Sequence, residues 1–189
     1  MALRNNNAFP IVTAAPPPGA ALNSQNLAID HVEQRKSRWC WAACTQMVLT
    51  AFGQDVDQCQ VASILFPDDA CCATGGNTCD KGCEKEDILP VYEQFNVTAT
   101  LVEDSDDIVF VEIRSEIRDR GKPVQVCIDW DEGGSHVIII YGWRVKGPNR
   151  FLRIHDSLNN GSGEIRISEL RRYEGQGDWT LTWIGFDEI

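Results

Sequence analysis

Apolar residues recur at helical spacing from Cys40 to about Arg120, and from Val124 onward they alternate or run continuously, as strands do. The first helical stretch opens on Trp39-Cys40-Trp41, carries Ala43, Met47, Val48, Ala51 and Phe52 on one face, and stops at Gly53. Asp57 caps a second, running to Phe66 with Cys59, Ala62, Ile64 and Leu65. A third spans Asp87 to Phe95 and is interrupted or started by Pro90. Asp106-Asp107 opens a fourth, with Val109, Phe110, Ile113 and Ile117 as its stripe and Gly121 as its end.

The period then changes. Val124, Val126, Ile128 and Trp130 alternate with Gln125, Cys127 and Asp129, which predicts a half-buried strand. Asp131-Glu132-Gly133-Gly134 turns the chain into the nearly continuous apolar run Ser135–Trp143. Further strands follow over Phe151–Asp156, Glu164–Ile167 and Trp179–Trp183. Helices first and an antiparallel sheet second is an α+β layout, with a helical lobe at about 30–121, a sheet lobe at about 122–189 and a cleft between them. Residues 1–29, with Asn5-Asn6-Asn7 and Pro16-Pro17-Pro18-Gly19, read as an extended leader, a plain tail rather than a pro-segment.

Composition is that of an ordinary globular chain of 189 residues, with no apolar run long enough to span a bilayer. No secretory signal is visible, while eight cysteines are many for a reducing compartment, so the compartment stays open. The net charge of −11 is concentrated: fourteen acidic residues lie between Asp55 and Glu112, against Lys81 and Lys85 alone. Such a surface repels nucleic acid and reads first as a solvated acidic face, though it could favour a basic substrate; no membrane partner is expected, and the chain is expected to act as a monomer.

The chemistry gathers around Gln34–Cys44. Cys40 falls in the first turn of a buried helix, where free backbone N–H groups and the helix dipole favour a thiolate. Gln34, six residues upstream, has an amide that pairs with the Cys40 N–H to suit a developing oxyanion. This Gln…Trp-Cys-Trp-Ala-Ala pattern resembles the papain-like cysteine peptidases, and within them the small bacterial branch of staphopain-type and type III effector proteases. The resemblance implies a papain-like fold, peptide hydrolysis without a cofactor, and a histidine base with an orienting partner on the sheet side.

His136 is the only histidine at the start of a buried strand, and its segment is similar to the family's Gly-His-apolar-strand motif. Asp156 is the expected orienter. It lies twenty residues later, on the strand face shared by Leu152 and Ile154 and opposite His155. Asp156-Ser-Leu-Asn-Asn-Gly161 resembles an Asp-x-x-x-x-Gly segment of the bacterial branch, and Tyr173 to Thr182 resembles its Tyr-x-Gly-x-Gly-x-Trp-Thr-x-Thr end. Gly75 and Gly76 resemble the paired glycines of the substrate groove, and Gly134 and Ser135 flank the base; all four are expected to line bound substrate. His31 reads as a stray surface residue and Cys44 as a packed thiol.

Cys59, Cys71, Cys72, Cys79 and Cys83 leave three readings open: disulfides, a zinc knuckle, or reduced thiols. If bridged, the adjacent Cys71 and Cys72 reach different partners, with Cys59 and either Cys79 or Cys83 available. No metal is assigned to the catalytic site. Two rival functions remain: acyl transfer to another acceptor on the same triad, as in isopeptidases, deamidases and transglutaminases, or a non-catalytic module stapled by zinc or disulfides.

Overall fold

A computed structural model describes residues 23–73, 78–158 and 161–189. In chain order the elements are β1 (Ser24–Asn26), α1 (Cys40–Ala51), α2 (Gln58–Leu65), α3 (Lys85–Glu93), β2 (Val97–Val102) and α4 (Phe110–Ser115). They continue with β3 (Val124–Trp130), β4 (Ser135–Lys146), β5 (Asn149–Asp156), β6 (Gly161–Arg166), α5 (Ile167–Leu170), β7 (Arg172–Tyr173) and β8 (Gly177–Glu188). The sheet runs β2-β8-β3-β4-β5-β6, with β1 beside β4, β7 beside β8, and every pairing antiparallel.

Local signals account for most of these elements. Asp57 begins α2 with a reciprocal cap, accepting from the Cys59 N–H at 3.0 Å while its own N–H donates to the Gln60 side chain at 2.8 Å. Pro90 lies inside α3 and does not mark its start. Val97-Thr98-Ala99-Thr100-Leu101 alternates apolar and polar residues, and the segment Val97–Val102 forms an edge strand on β8.

Strand β3 departs from expectation. Val124 through Ile128 are all buried, so the strand is covered on both faces rather than one. The reason is a helical layer on each side of the sheet. Residues of α1, α2 and α3 pack with Cys127, Val137, Ile139, Leu181 and Trp183, while Phe110, Ile113 and Leu170 pack with Val124, Val126, Ile128, Ile138 and Ile140. The two-sided cover also explains why β4 is continuously apolar. Gln125, buried within this layer, accepts from the Tyr92 hydroxyl at 2.6 Å through Oε1.

Two further features fix the approach to α1. Bridges Cys59–Cys72 and Cys71–Cys79 knit the chain after α2, sending the adjacent cysteines to different partners and leaving Cys83 free. An N-terminal strap runs along the sheet through β1, with the Leu27 N–H on the Tyr141 carbonyl at 2.8 Å and the Gln34 N–H on the Ser157 carbonyl at 3.1 Å. The strap passes so close to β4 that a Cβ at Gly142 would stand 2.5 Å from Asn26 Oδ1 and 2.9 Å from the Gln25 carbonyl.

Candidate active site

Cys40 is the first residue of α1, and no side chain caps the N–H groups there. The preceding turn is latched to the bridged loop. Ser37 Oγ and the Arg38 N–H donate to Asp80 at 2.8 and 2.9 Å, and the Trp39 and Trp41 indoles donate to the Cys79 and Lys81 carbonyls at 2.7 and 3.1 Å. Both tryptophans are buried, so the residues flanking the thiol are held while Cys40 keeps partial exposure.

The base arrives from the sheet. His136 and Asp156 share one face of adjacent strands, because Ile138 of β4 pairs with Asp156 of β5. His136 Nε2 donates to Asp156 Oδ1 at 2.8 Å, with both groups almost wholly buried. Nε2 is thereby spent, and Nδ1 is the ring atom left to interact with Cys40. Burial alone lowers the affinity of His136 for its proton. The hydrogen bonds to Asp156 and Cys40 outweigh it and push the pKa up to about 9. Burial opposes ionisation of Asp156 too, but hydrogen bonds from His136, the Leu158 N–H and Tyr173 bring it down to about 2. A carboxylate and an imidazolium are therefore both stable here across neutral pH.

Three other free thiols lack this setting. Cys44 is fully buried, donates to the Val137 carbonyl at 3.2 Å, and is pushed up chiefly by burial. Burial likewise raises Cys127, to about 12, and Cys83. Of the four free cysteines, only Cys40 combines partial exposure with a helix start and a neighbouring imidazole.

The pair faces a cleft of about 770 Å³ lined by Gln34, Cys40, Trp41, Gly82, Cys83, Gly134, Ser135 and His136 among others. Gly134 and Ser135 are thus among the residues that line the cleft. Gly75 and Gly76 lie outside the described residues; in the described chain, Gly82 and Cys83 line the helical side. Gln34 is also on the cleft, with its amide engaged. Nε2 donates to the Lys36 and Ser37 carbonyls at 2.8 and 2.9 Å, and Oε1 accepts from Ser157 Oγ at 3.0 Å. Donation to an oxyanion requires one of those amide hydrogens to change partner.

Several contacts were not read from the sequence. His31 is no stray residue: its Nε2 donates to the Asp156 main-chain carbonyl at 2.7 Å. His155 turns to the strap, donating to the Ile29 carbonyl at 2.8 Å and stacking on Tyr141. Trp130 lies nearly parallel to the His136 ring with centroids 6.1 Å apart, and Gly177 admits it, since a Cβ there would come within 2.6 Å of the indole. Tyr173 Oη donates to Asp156 Oδ2 at 2.8 Å. The tail pattern singled out Tyr173 and Gly177 but not what they touch.

Among solved structures, the chain is similar to a double glycine motif protease from an AMS/PCAT transporter, in complex with its leader peptide, at 16% identity and a TM-score of 0.52; the match covers 87% of this chain and 94% of that one. It is similar to the peptidase domain of Streptococcus ComA, a bifunctional ABC transporter of a quorum-sensing pathway, at 12% identity and a TM-score of 0.57, covering 85% and 99%. A structure from work on the mite allergens Blo t 1 and Der p 1 matches at 11% identity and a TM-score of 0.52, covering 93% and 73%. No curated protein matches the chain by sequence. The fold shared with these structures is the papain-like α+β arrangement. Residues 26–182, which include Cys40, His136 and Asp156, match one family model along their whole length, and the chain belongs to the Peptidase_C39 like family of cysteine peptidases.

Proposed function

We propose that this cysteine peptidase hydrolyses peptide bonds through Cys40, His136 and Asp156, with the Cys40 N–H and the Gln34 amide as oxyanion donors. The observation that carries the reading is the imidazole held by Asp156 at 2.8 Å on the same cleft that Cys40 lines from the head of α1. The Cys40 sulfur attacks the carbonyl carbon, and the carbonyl oxygen takes the negative charge. Gln34 then exchanges its bond to Ser37 for one to that oxygen. His136 Nδ1 gives its proton to the leaving amine, the C–N bond breaks, and a thioester remains on Cys40. Water, deprotonated by the same nitrogen, attacks the thioester and releases the acid. Asp156 keeps the ring aligned throughout. Gly134 and Ser135 border the bound chain, and Gly75 and Gly76 are retained as groove residues on resemblance alone.

The substrate is a protein or peptide, as the leader peptide bound to the transporter protease suggests, and one chain supplies every group the reaction uses. Kinship with the staphopain and effector branch rests on the Gln34…Trp39-Cys40-Trp41-Ala42-Ala43 signature. Incubation with a peptide library, with products weighed by mass spectrometry, tests the reading. Hydrolysis products are expected from the wild type and none from Cys40→Ala. Products carrying an added amine, in place of water, would move the activity to amine transfer on the same triad. Retained hydrolysis by Cys40→Ala sinks the assignment.

A further inference from the structure

A carboxylate has two oxygens, and His136 uses one. Asp156 Oδ1 accepts from His136 Nε2 at 2.8 Å and from the Leu158 N–H at 2.9 Å. Oδ2 accepts from the Tyr173 hydroxyl at 2.8 Å. Tyr173 sits on β7, is buried, and packs its ring 6.0 Å from that of Trp130, which in turn covers His136. It does not line the cleft, so substrate does not meet it.

We propose that Tyr173 is a positioning residue of the active site: its hydroxyl holds Asp156 by the oxygen that His136 leaves free, and so sets how firmly Asp156 grips the imidazolium. This rests on the function proposed above. A phenylalanine would fill the same apolar space beside Trp130, so packing alone does not call for the hydroxyl. A hydroxyl donating to a buried carboxylate, by contrast, is a charge-assisted bond that fixes an oxygen otherwise left without a donor among the described residues. Burial, and then the bond to Asp156, push the Tyr173 phenol well above its ordinary value, so it remains a donor over the whole working range.

The other ionisable groups around the carboxylate are known. His136 faces it from β4, and Cys44 feels its charge from α1 beside Cys40. His31 on the strap meets its main-chain carbonyl, and Glu174 adjoins Tyr173. Of these, only His136 and Tyr173 donate to the carboxylate oxygens. Drawing charge toward Oδ2 weakens the pull of Oδ1 on the imidazolium. Loss of the phenol should therefore raise the proton affinity of both Asp156 and His136, while freeing the carboxylate to turn.

The test is the titration of the His136 ring by NMR in the resting protein, together with the pH profiles of kcat and kcat/KM. In Tyr173→Phe, the imidazole titration and the basic limb should move to higher pH, and kcat should fall about tenfold with KM little changed. Replacing Tyr173 by monofluorotyrosine, a stronger donor of nearly the same shape, should move the titration the opposite way. If the Phe variant does not fold, the fluorotyrosine protein alone decides. Titration curves that superimpose on the wild type in every foldable variant would make Tyr173 a packing residue only. Because the NMR titration needs no substrate, a protein that cleaves nothing would overturn the function while the coupling of Tyr173 to His136 was still decided.

Discussion

The two sides of the proposed catalytic site are held by different kinds of structure. His136 and Asp156 stand on neighbouring strands of a long antiparallel ladder, buried on both faces, and their register follows from pairing that runs from Val124 to Asp156. Cys40 stands at the end of a 12-residue helix whose entry is a loop, and that loop is held by side-chain bonds to Asp80, by two indole N–H groups and by a doubly bridged segment. One side is fixed by main-chain repetition. The other depends on a few named contacts, so damage to it should be more local and more graded.

The largest expected effect strikes the ladder side. Asp156→Asn keeps the shape but removes the charge that stabilises the imidazolium, and kcat should fall about a thousandfold, as measured under substrate saturation. Iodoacetamide should still modify Cys40 in this variant, more slowly than in the wild type.

Next comes the bridged side. Replacing Cys71 and Cys79 by serine should cost about 2–4 kcal/mol of unfolding free energy. Hydrogen exchange should show the loss in α2 and the turn before Cys40, with amides of β3, β4 and β5 still protected. Equal loss of protection across the sheet would break the contrast drawn above.

These outcomes also show which parts of the molecule could be read from the chain. The Asp57 cap, the helix opening at Cys40 and the turn at Gly133-Gly134 are local events, encoded within a few residues. Sending Cys71 and Cys72 to different partners needs only their adjacency. Asp156 came from alternation along a single strand. What was missed is non-local: the second helical layer that buries both faces of β3, the pairing of Val97–Val102 with β8, and the contacts of His31 and Tyr173 with Asp156. None of these has a short-range signature, because each depends on the register of segments far apart in sequence. Gln34 divides the two cases: six-residue spacing put it near Cys40, but not its bond to Ser157.

A smaller effect concerns pH and stability. His136 has its pKa raised from 6.5 to about 9, so its contribution is full below 6.5 and is lost as pH rises through about 9. Asp156 has its pKa lowered from 3.8 to about 2, so its contribution is present above 3.8 and is lost as pH falls through about 2. The stability gap between wild type and Asp156→Asn in urea should be widest between those limits, at about pH 5, and should narrow by about pH 10. A gap that did not change with pH would mean the pair is not ionised in the folded protein.

The smallest expected effect is at the latch. Asp80→Ala removes the acceptor of Ser37 and of the Arg38 N–H, with an expected loss of about 1 kcal/mol of stability. kcat/KM should drop several-fold while the His136 titration stays in place, since nothing on the sheet side moves. A shifted titration would show that the two sides are more tightly coupled than their construction suggests.

The residues of the proposed centre are scattered along the chain, from Gln34 at one extreme to Tyr173 at the other. A polypeptide emerging from the ribosome exposes Cys40 nearly one hundred residues before His136 is synthesised, and later still comes the phenol behind Asp156. On the proposed mechanism, a half-made or clipped chain would carry the thiol without its partners and would cleave nothing.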